Sequence, residues 1–291
     1  MTVGIVSPGA MGSAVGAAYR ASGARVVGTL AGRSERTRGL ADRAGLELLD
    51  DIDAVVAAAD LVLSIAPPDQ ARAIAGDLAD AAGRTGARPL VSDWNAVSPA
   101  TAQEVARILA AAGLELVDGS ISGGPPRADY RTRVYVSGPR AAELAESEPG
   151  WLDMRAVGDE VGLASAVKMC TASVYKGYTA LLAHALVTAR ANGVLDPVLD
   201  DLRDSFPAQI DRAARLLAVS ATKAGRYVGE MREIAETQAA AGLTPALFEA
   251  MAEAYGRLAE TDLGAAAPES IPPEPSLKDV LGRLADAGER T

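Results

Sequence analysis

The 291-residue chain carries 38 acidic against 28 basic side chains, a formal net charge of −10. A partner with a phosphate backbone or an anionic membrane surface needs a basic face, so neither nucleic acid nor membrane is an expected partner. Cys170 and His184 are the lone cysteine and histidine, which excludes an internal disulfide, a cysteine-based zinc site and a multi-histidine metal site.

A single cysteine fits a reducing, cytoplasmic setting, and the start at Met1–Val6 reads as a strand entering a glycine turn, not as a signal peptide. No apolar run is long enough to span a bilayer. Hydrophobic residues make up 49% of the chain and aromatics 4%, so the expected cores are built from Ala, Val and Leu.

The first half alternates short β runs with helical stretches. The β runs are Val3–Val6, Ala24–Leu30, Asp60–Ala66, Pro89–Asp93, Glu115–Asp118, Arg133–Ser137 and Met154–Val157. Between them Met11–Ala21, Glu35–Ala44, Gln70–Ala82 and Pro99–Ala112 read as helices. Such alternation implies βαβ units and a parallel sheet. From Val161 the pattern becomes helical without interruption to Asn192, and helices follow over about 197–220, 222–241 and 245–262. Gly264–Pro275 reads as a linker before a last helix over 276–287. The expectation is an α/β Rossmann domain (residues 1–158) followed by an all-α domain (residues 159–291), whose long first helix, 161–193, connects the two.

The turn after the first run reads Ser7-Pro8-Gly9-Ala10-Met11-Gly12 and opens a helix. Unpaired N–H groups at a helix start suit a pyrophosphate, and glycine lets the phosphates approach. The first glycine of the usual fingerprint is Ser7 here. Ser7, Gly9, Ala10, Met11 and Gly12 are therefore candidate cofactor contacts, with Ala66 and Pro67 after a later strand run. An NAD site usually has an acid at the end of the second strand. Here that end reads Ala31-Gly32-Arg33-Ser34-Glu35-Arg36. Arg33, Ser34 and Arg36 suit a 2′-phosphate, which favours NADP(H). Glu35 is expected to point away as a first-turn residue.

These segments resemble the β-hydroxyacid dehydrogenases, relatives of 6-phosphogluconate and 3-hydroxyisobutyrate dehydrogenases. Three later stretches add to the likeness: Asp93-Trp94-Asn95-Ala96-Val97-Ser98-Pro99, Asp118-Gly119-Ser120-Ile121-Ser122-Gly123-Gly124, and Gly158 to Gly162 leading to Lys168. The likeness covers residues 1–195. The C-terminal half resembles a branch of that family with its own helical domain of unknown function. The resemblance implies Lys168 as the catalytic acid and base, Ser122, Gly123 and Gly124 as the substrate loop, and a homodimer. Lysine in a partly dry cleft titrates closer to neutrality, which suits proton transfer.

Asn95, after a strand, is a candidate for positioning the nicotinamide or the substrate; the alternative is a helix-capping region with Ser98. The family usually has asparagine four residues after the lysine, and Ala172 stands there. Thr171 or Tyr175, the latter on the helical face of Lys168, is a candidate substrate contact in its place, with domain-interface packing as the alternative for Tyr175. Arg127 would add charge at the loop. Arg226, Tyr227 and Glu230 are spaced to face a cleft or to form a solvated face. His184 and Cys170 are assigned structural roles only. The expected function is NADP(H)-dependent hydride transfer on a small polar hydroxy or oxo substrate. Imine reduction and non-catalytic NADP(H) binding are the alternatives; imine reductases commonly replace the lysine that this chain retains.

Overall fold

The computed structural model describes residues 1–285 except Arg33 and Glu148. It divides into two units, Met1–Met169 and Cys170–Thr291.

The first unit runs β1 (Thr2–Ile5), α1 (Ala10–Ala21), β2 (Arg25–Thr29), α2 (Glu35–Ala44), β3 (Glu47–Leu49), α3 (Ile52–Ala58), β4 (Leu61–Ser64), α4 (Ala71–Thr85), β5 (Leu90–Asp93), α5 (Pro99–Ala111), β6 (Leu116–Ser122), β7 (Thr132–Ser137), α6 (Ala141–Glu146) and β8 (Leu152–Ala156). Then comes α7 (Leu163–Ala191). The sheet order is β3-β2-β1-β4-β5-β6-β7-β8. Strand order therefore reverses between β1 and β4, and ligands of open α/β sheets bind at such a switch point, beyond the carboxyl ends of the strands.

Alternate residues of the central strands supply two separate cores. Leu61, Leu63 and Val117 join the layer of α1, with Val15, Ala18 and Tyr19. Val62, Val91 and Leu116 face the opposite layer, with Ile74 and Leu78 of α4 and Val105 and Leu109 of α5. A strand buried on both faces reads as a continuous apolar run, which is why these runs are visible in the sequence.

The parallel expectation needs one correction. β7 lies antiparallel to β6, with Asp118 opposite Ser137 and Ser122 opposite Arg133. The two strands are joined without a helix, and only an antiparallel partner is reached by so short a connection. β6 is also longer than its apolar run, because Gly119, Ser120 and Ser122 extend the ladder. Three short elements, β3, α3 and α6, are not evident from the residue pattern.

The second unit contains the rest of α7, then α8 (Leu195–Ser205), α9 (Pro207–Asp211), α10 (Ala213–Ala221), α11 (Ala224–Ala240), α12 (Ala246–Ala259) and α13 (Leu277–Ala285). The single helix expected over 197–220 is three helices. Pro207 lacks an N–H and crowds the preceding turn, so the chain breaks at Phe206, with φ −136° and ψ 53°. The core packs Leu182 and Leu186 of α7 with Ile210, Leu217, Leu263 and Leu281. Among the described residues, no helix is long and apolar enough to cross a membrane.

The units divide between Met169 and Cys170, inside α7. The reason is local: the first turns of α7 are hydrogen-bonded to β6, as described below.

Candidate functional site

At the switch point, Gly9 is the N-cap residue of α1 and has no side chain to cap it. The Ser13 N–H donates to the Gly9 carbonyl, at 2.8 Å. Among the described residues, the N–H groups of Ala10, Met11 and Gly12 have no backbone acceptor outside the helix. A helix start leaves such donors for a ligand. A side chain at Gly9 would meet nothing within 4 Å, whereas one at Gly12 would stand 2.2 Å from the Ser7 carbonyl oxygen. The turn is thus tight behind and open in front, which fits a pyrophosphate. Ala66 and Pro67 follow β4, the neighbouring strand across the reversal.

At the end of β2 no acid is present, as the sequence reads. Ser34 is the N-cap residue of α2, and its hydroxyl accepts from the Thr37 N–H at 3.3 Å. Arg36 is exposed in the first turn. Glu35 is exposed and pairs with Arg38 at 3.8 Å. Arg33 lies outside the described residues.

Asn95 sits 2% exposed, with its amide engaged inside the protein. Its Oδ1 accepts from the Ala66 N–H at 2.5 Å. Its Nδ2 donates to Ser64 Oγ at 3.0 Å and to Asp93 Oδ2 at 3.1 Å. The structure therefore places Asn95 as a strut under the Ala66–Pro67 turn. Ser98 caps α5 separately, its Oγ accepting from the Thr101 N–H. Asp93 itself is buried, and desolvation, with the Asp118 carboxylate adding to it, pushes its carboxyl up to about 7 despite two bonds donated by Asn95.

An unfolded aspartate titrates near 3.8. The folded state therefore holds the proton more tightly, and stability falls as pH rises from about 4 to about 7. Asp93→Asn removes that penalty. Its Tm relative to the parent protein should be higher at pH 8 than at pH 5, read by calorimetry. A Tm difference independent of pH would contradict the assignment.

β6 and the start of α7 are laced together. Asp118 Oδ2 accepts from the N–H groups of Gly162 and Ser165, each at 3.0 Å, and from Ser137 Oγ at 2.9 Å. Its Oδ1 accepts from Ser165 Oγ at 2.6 Å. Ser120 Oγ donates to the Ala164 carbonyl at 2.8 Å. Lys168 Nζ donates to the Ile121 carbonyl at 2.6 Å. The lysine head therefore lies at the carboxyl end of β6, where Ser122, Gly123 and Gly124 leave the strand.

Gly123 and Gly124 are exposed, and the Gly124 carbonyl accepts from Thr132 Oγ1 at 2.6 Å. Arg127 is occupied nearby, paired with Asp129 at 2.6 Å and lying over the Tyr130 ring at 5.1 Å. Behind the loop, Trp94 packs on Gly119 so closely that a Cβ there would stand 2.2 Å from Cδ1 of the indole. Trp94 Nε1 donates to Ser92 Oγ at 2.7 Å. The Asp93–Pro99 and Asp118–Gly124 stretches are thus two halves of one packed edge.

In the second unit, Ala172 and Thr179 are buried but Tyr175 is 70% exposed. Tyr175 lines a pocket of about 510 Å³ with Val174, Tyr178, Phe206 and Leu216. Arg226, Tyr227 and Glu230 do not form a simple solvated face. Glu230 is buried and pairs with Lys176 and, at 3.2 Å, with Arg226. Lys176 Nζ lies 4.4 Å from the centroid of the Tyr227 ring. The sequence reading missed this cluster, because a buried Glu on α11 gives no sign of its partner on α7. His184 and Cys170 are exposed.

Among curated proteins, an uncharacterized 28.5 kDa protein in the 7S RNA 5′ region of Methanothermus fervidus is 28% identical over 174 residues, 60% of this chain and 65% of that protein. The 3-hydroxyisobutyrate dehydrogenase of Pseudomonas aeruginosa is 32% identical over 120 residues, 40% of each chain. The chain thus spans less than two thirds of the length of these relatives.

Among solved structures, a conserved hypothetical protein from Sinorhizobium meliloti 1021 superposes with a TM-score of 0.67 at 26% identity, covering 99% of this chain and 96% of the other. The Mycobacterium tuberculosis 3-hydroxyisobutyrate dehydrogenase, solved with L-serine, shares the fold, with a TM-score of 0.69 at 20% identity over 97% of this chain and 98% of the other. Residues 189–258 match a domain of unknown function, DUF1932. Residues 2–154, more than half of the chain, match the NAD binding domain of 6-phosphogluconate dehydrogenase, and the protein belongs to that family.

Proposed function

We propose that this protein is an NADP(H)-dependent oxidoreductase that moves hydride to or from a small polar hydroxy or oxo substrate, with Lys168 as general acid and base. The observation that carries this reading is the position of Lys168 Nζ, held 2.6 Å from the Ile121 carbonyl at the mouth of the Ser122–Gly124 loop. Bound NADP(H) would supply the hydride. The N–H groups of Ala10, Met11 and Gly12 would hold its pyrophosphate, with Ser7 and Gly9 shaping the turn and Ala66 and Pro67 beside it. Ser34, Arg33 and Arg36 would hold its 2′-phosphate.

In the reducing direction, the Lys168 ammonium gives its proton to the oxygen of the carbonyl as the carbon accepts hydride. In the oxidising direction, the neutral amine takes the hydroxyl proton. Ser122, Gly123 and Gly124 would bind a carboxylate or similar oxyanion. Asn95 would act through the Ala66 turn it supports.

Retention of Lys168 favours C=O over C=N chemistry. The exposed Val174, Tyr175 and Leu181 on α7 support a homodimer through that helix. The lone Cys170 is in keeping with a cytoplasmic setting.

The test is consumption of NADPH or NADH with a panel of small aldehydes, keto acids and cyclic imines. Turnover of a carbonyl compound that prefers NADPH is the expected result. Arg33→Ala with Arg36→Ala should then weaken NADPH by about 10- to 100-fold and leave NADH nearly unchanged, since charge-assisted bonds to a phosphate contribute about 1.5–3 kcal/mol. Turnover of imines alone would overturn the C=O assignment, and equal loss for both cofactors would overturn the 2′-phosphate site.

A further inference from the structure

Asp118 is buried, 1% exposed, and has no part in the chemistry proposed above. It accepts four hydrogen bonds, and three of them come from residues at the start of α7: the N–H groups of Gly162 and Ser165 and the Ser165 hydroxyl. The fourth comes from Ser137 Oγ, which itself accepts from the Ala164 N–H at 3.0 Å. A helix of 29 residues thus has its first free N–H groups answered by a carboxylate on a strand, not by its own cap residue. A carboxylate there also complements the positive end of the helix dipole.

The contacts step along the two elements together. Asp118 meets residues 162 and 165, Ser120 meets Ala164, and the Ile121 carbonyl meets Lys168. Register between strand and helix is therefore fixed at one end by Asp118 and read out at the other by Lys168. One turn of slip along the helix would carry the ammonium about 5 Å from the Ser122–Gly124 loop.

We infer that Asp118 is the positioning residue for Lys168, setting where the lysine head stands relative to the substrate loop. This rests on Lys168 being the acid and base, but the positioning can be tested without that assumption. The chain has four lysines, Lys168, Lys176, Lys223 and Lys278. With lysine labelled by ¹³C at Cε, each side chain gives its own NMR signal, and Lys168→Arg assigns the one at issue. In Asp118→Ala, the Lys168 signal should shift or broaden and its titration midpoint should move, while those of Lys176, Lys223 and Lys278 stay in place. Asp118→Asn keeps an oxygen for the two backbone N–H groups and should restore the Lys168 signal in part.

Once a substrate is in hand, kcat should fall tenfold or more in Asp118→Ala with KM changed less than threefold, and the pH–rate profile should shift with the Lys168 midpoint. A Lys168 signal and midpoint identical to those of the parent in folded Asp118→Ala would overturn the inference. If that variant does not fold, Ser165→Ala removes only the Ser165 hydroxyl, and the same two outcomes decide. Turnover that survives Lys168→Ala would instead remove the acid–base reading and leave the NMR result to stand by itself.

Discussion

Lys168→Ala should lower kcat by about 10²- to 10⁴-fold while leaving NADPH affinity within about twofold, the range expected for loss of one positioned acid or base. The two quantities separate because the residues involved are separate. The amides of Ala10, Met11 and Gly12 lie at the start of α1, and Lys168 is bonded to the end of β6. The alanine variant has no group in reach of the Ile121 carbonyl that donates a proton, yet α7 keeps its anchors at Gly162, Ala164 and Ser165. The fold should therefore be retained, with a Tm close to that of the parent. The comparison needs stopped-flow single turnover beside a fluorescence titration with NADPH. Unchanged turnover would exclude Lys168 from the chemistry. Lost NADPH binding would place it in the cofactor site instead.

Gly12→Ala should weaken NADPH by about 10- to 100-fold, through geometry and not charge. The added methyl would stand 2.2 Å from the Ser7 carbonyl oxygen and 3.2 Å from Ile5 Cγ2. Backbone cannot yield as a flexible side chain does, so α1 must move away from the turn. Overpacking of this kind costs about 1–3 kcal/mol, and each 1.4 kcal/mol is tenfold in affinity. The amides that would face the pyrophosphate move with the helix. Gly83→Ala is the matched control. It lies in α4 with nothing within 4 Å of the added methyl, and alanine is the better helix former by about 0.5–1 kcal/mol. Its NADPH affinity should equal that of the parent, with a slightly higher Tm. Equal affinities in Gly12→Ala and Gly83→Ala would show that the tight turn is not part of the cofactor site.

The elements most legible in the sequence are those whose pattern is set locally. The central strands are buried on both sides and so appear as apolar runs; α1, α2 and α5 open at glycine, serine or proline signals that cap helices. What escaped has non-local causes. β3 is three residues long and gains its place by pairing with β2. The end of β6 reads as polar, because Ser120 bonds to α7 and Gly119 makes room for Trp94.

The candidate site divides in the same way. Gly12 is legible as part of the glycine turn, and Lys168 stands out through the family resemblance of the Gly158–Gly162 stretch before it. The inward turn of the Asn95 amide was not, since its partners Ala66 and Ser64 lie about thirty residues away. The ion pair of Lys176 with Glu230 joins helices 54 positions apart and leaves no local trace.

β6 carries two duties along seven residues. Its first part, from Asp118 to Ile121, holds the helix that bears the lysine; its last residue, Ser122, begins the loop that would meet the substrate. The side chains that secure Lys168 are thus not those that would greet a ligand. Mutations in the loop after Ile121 would then change what the proposed site accepts without dislodging the helix anchored behind it. Such a division of labour would let one scaffold be retuned toward new compounds by small steps, each starting from an intact framework.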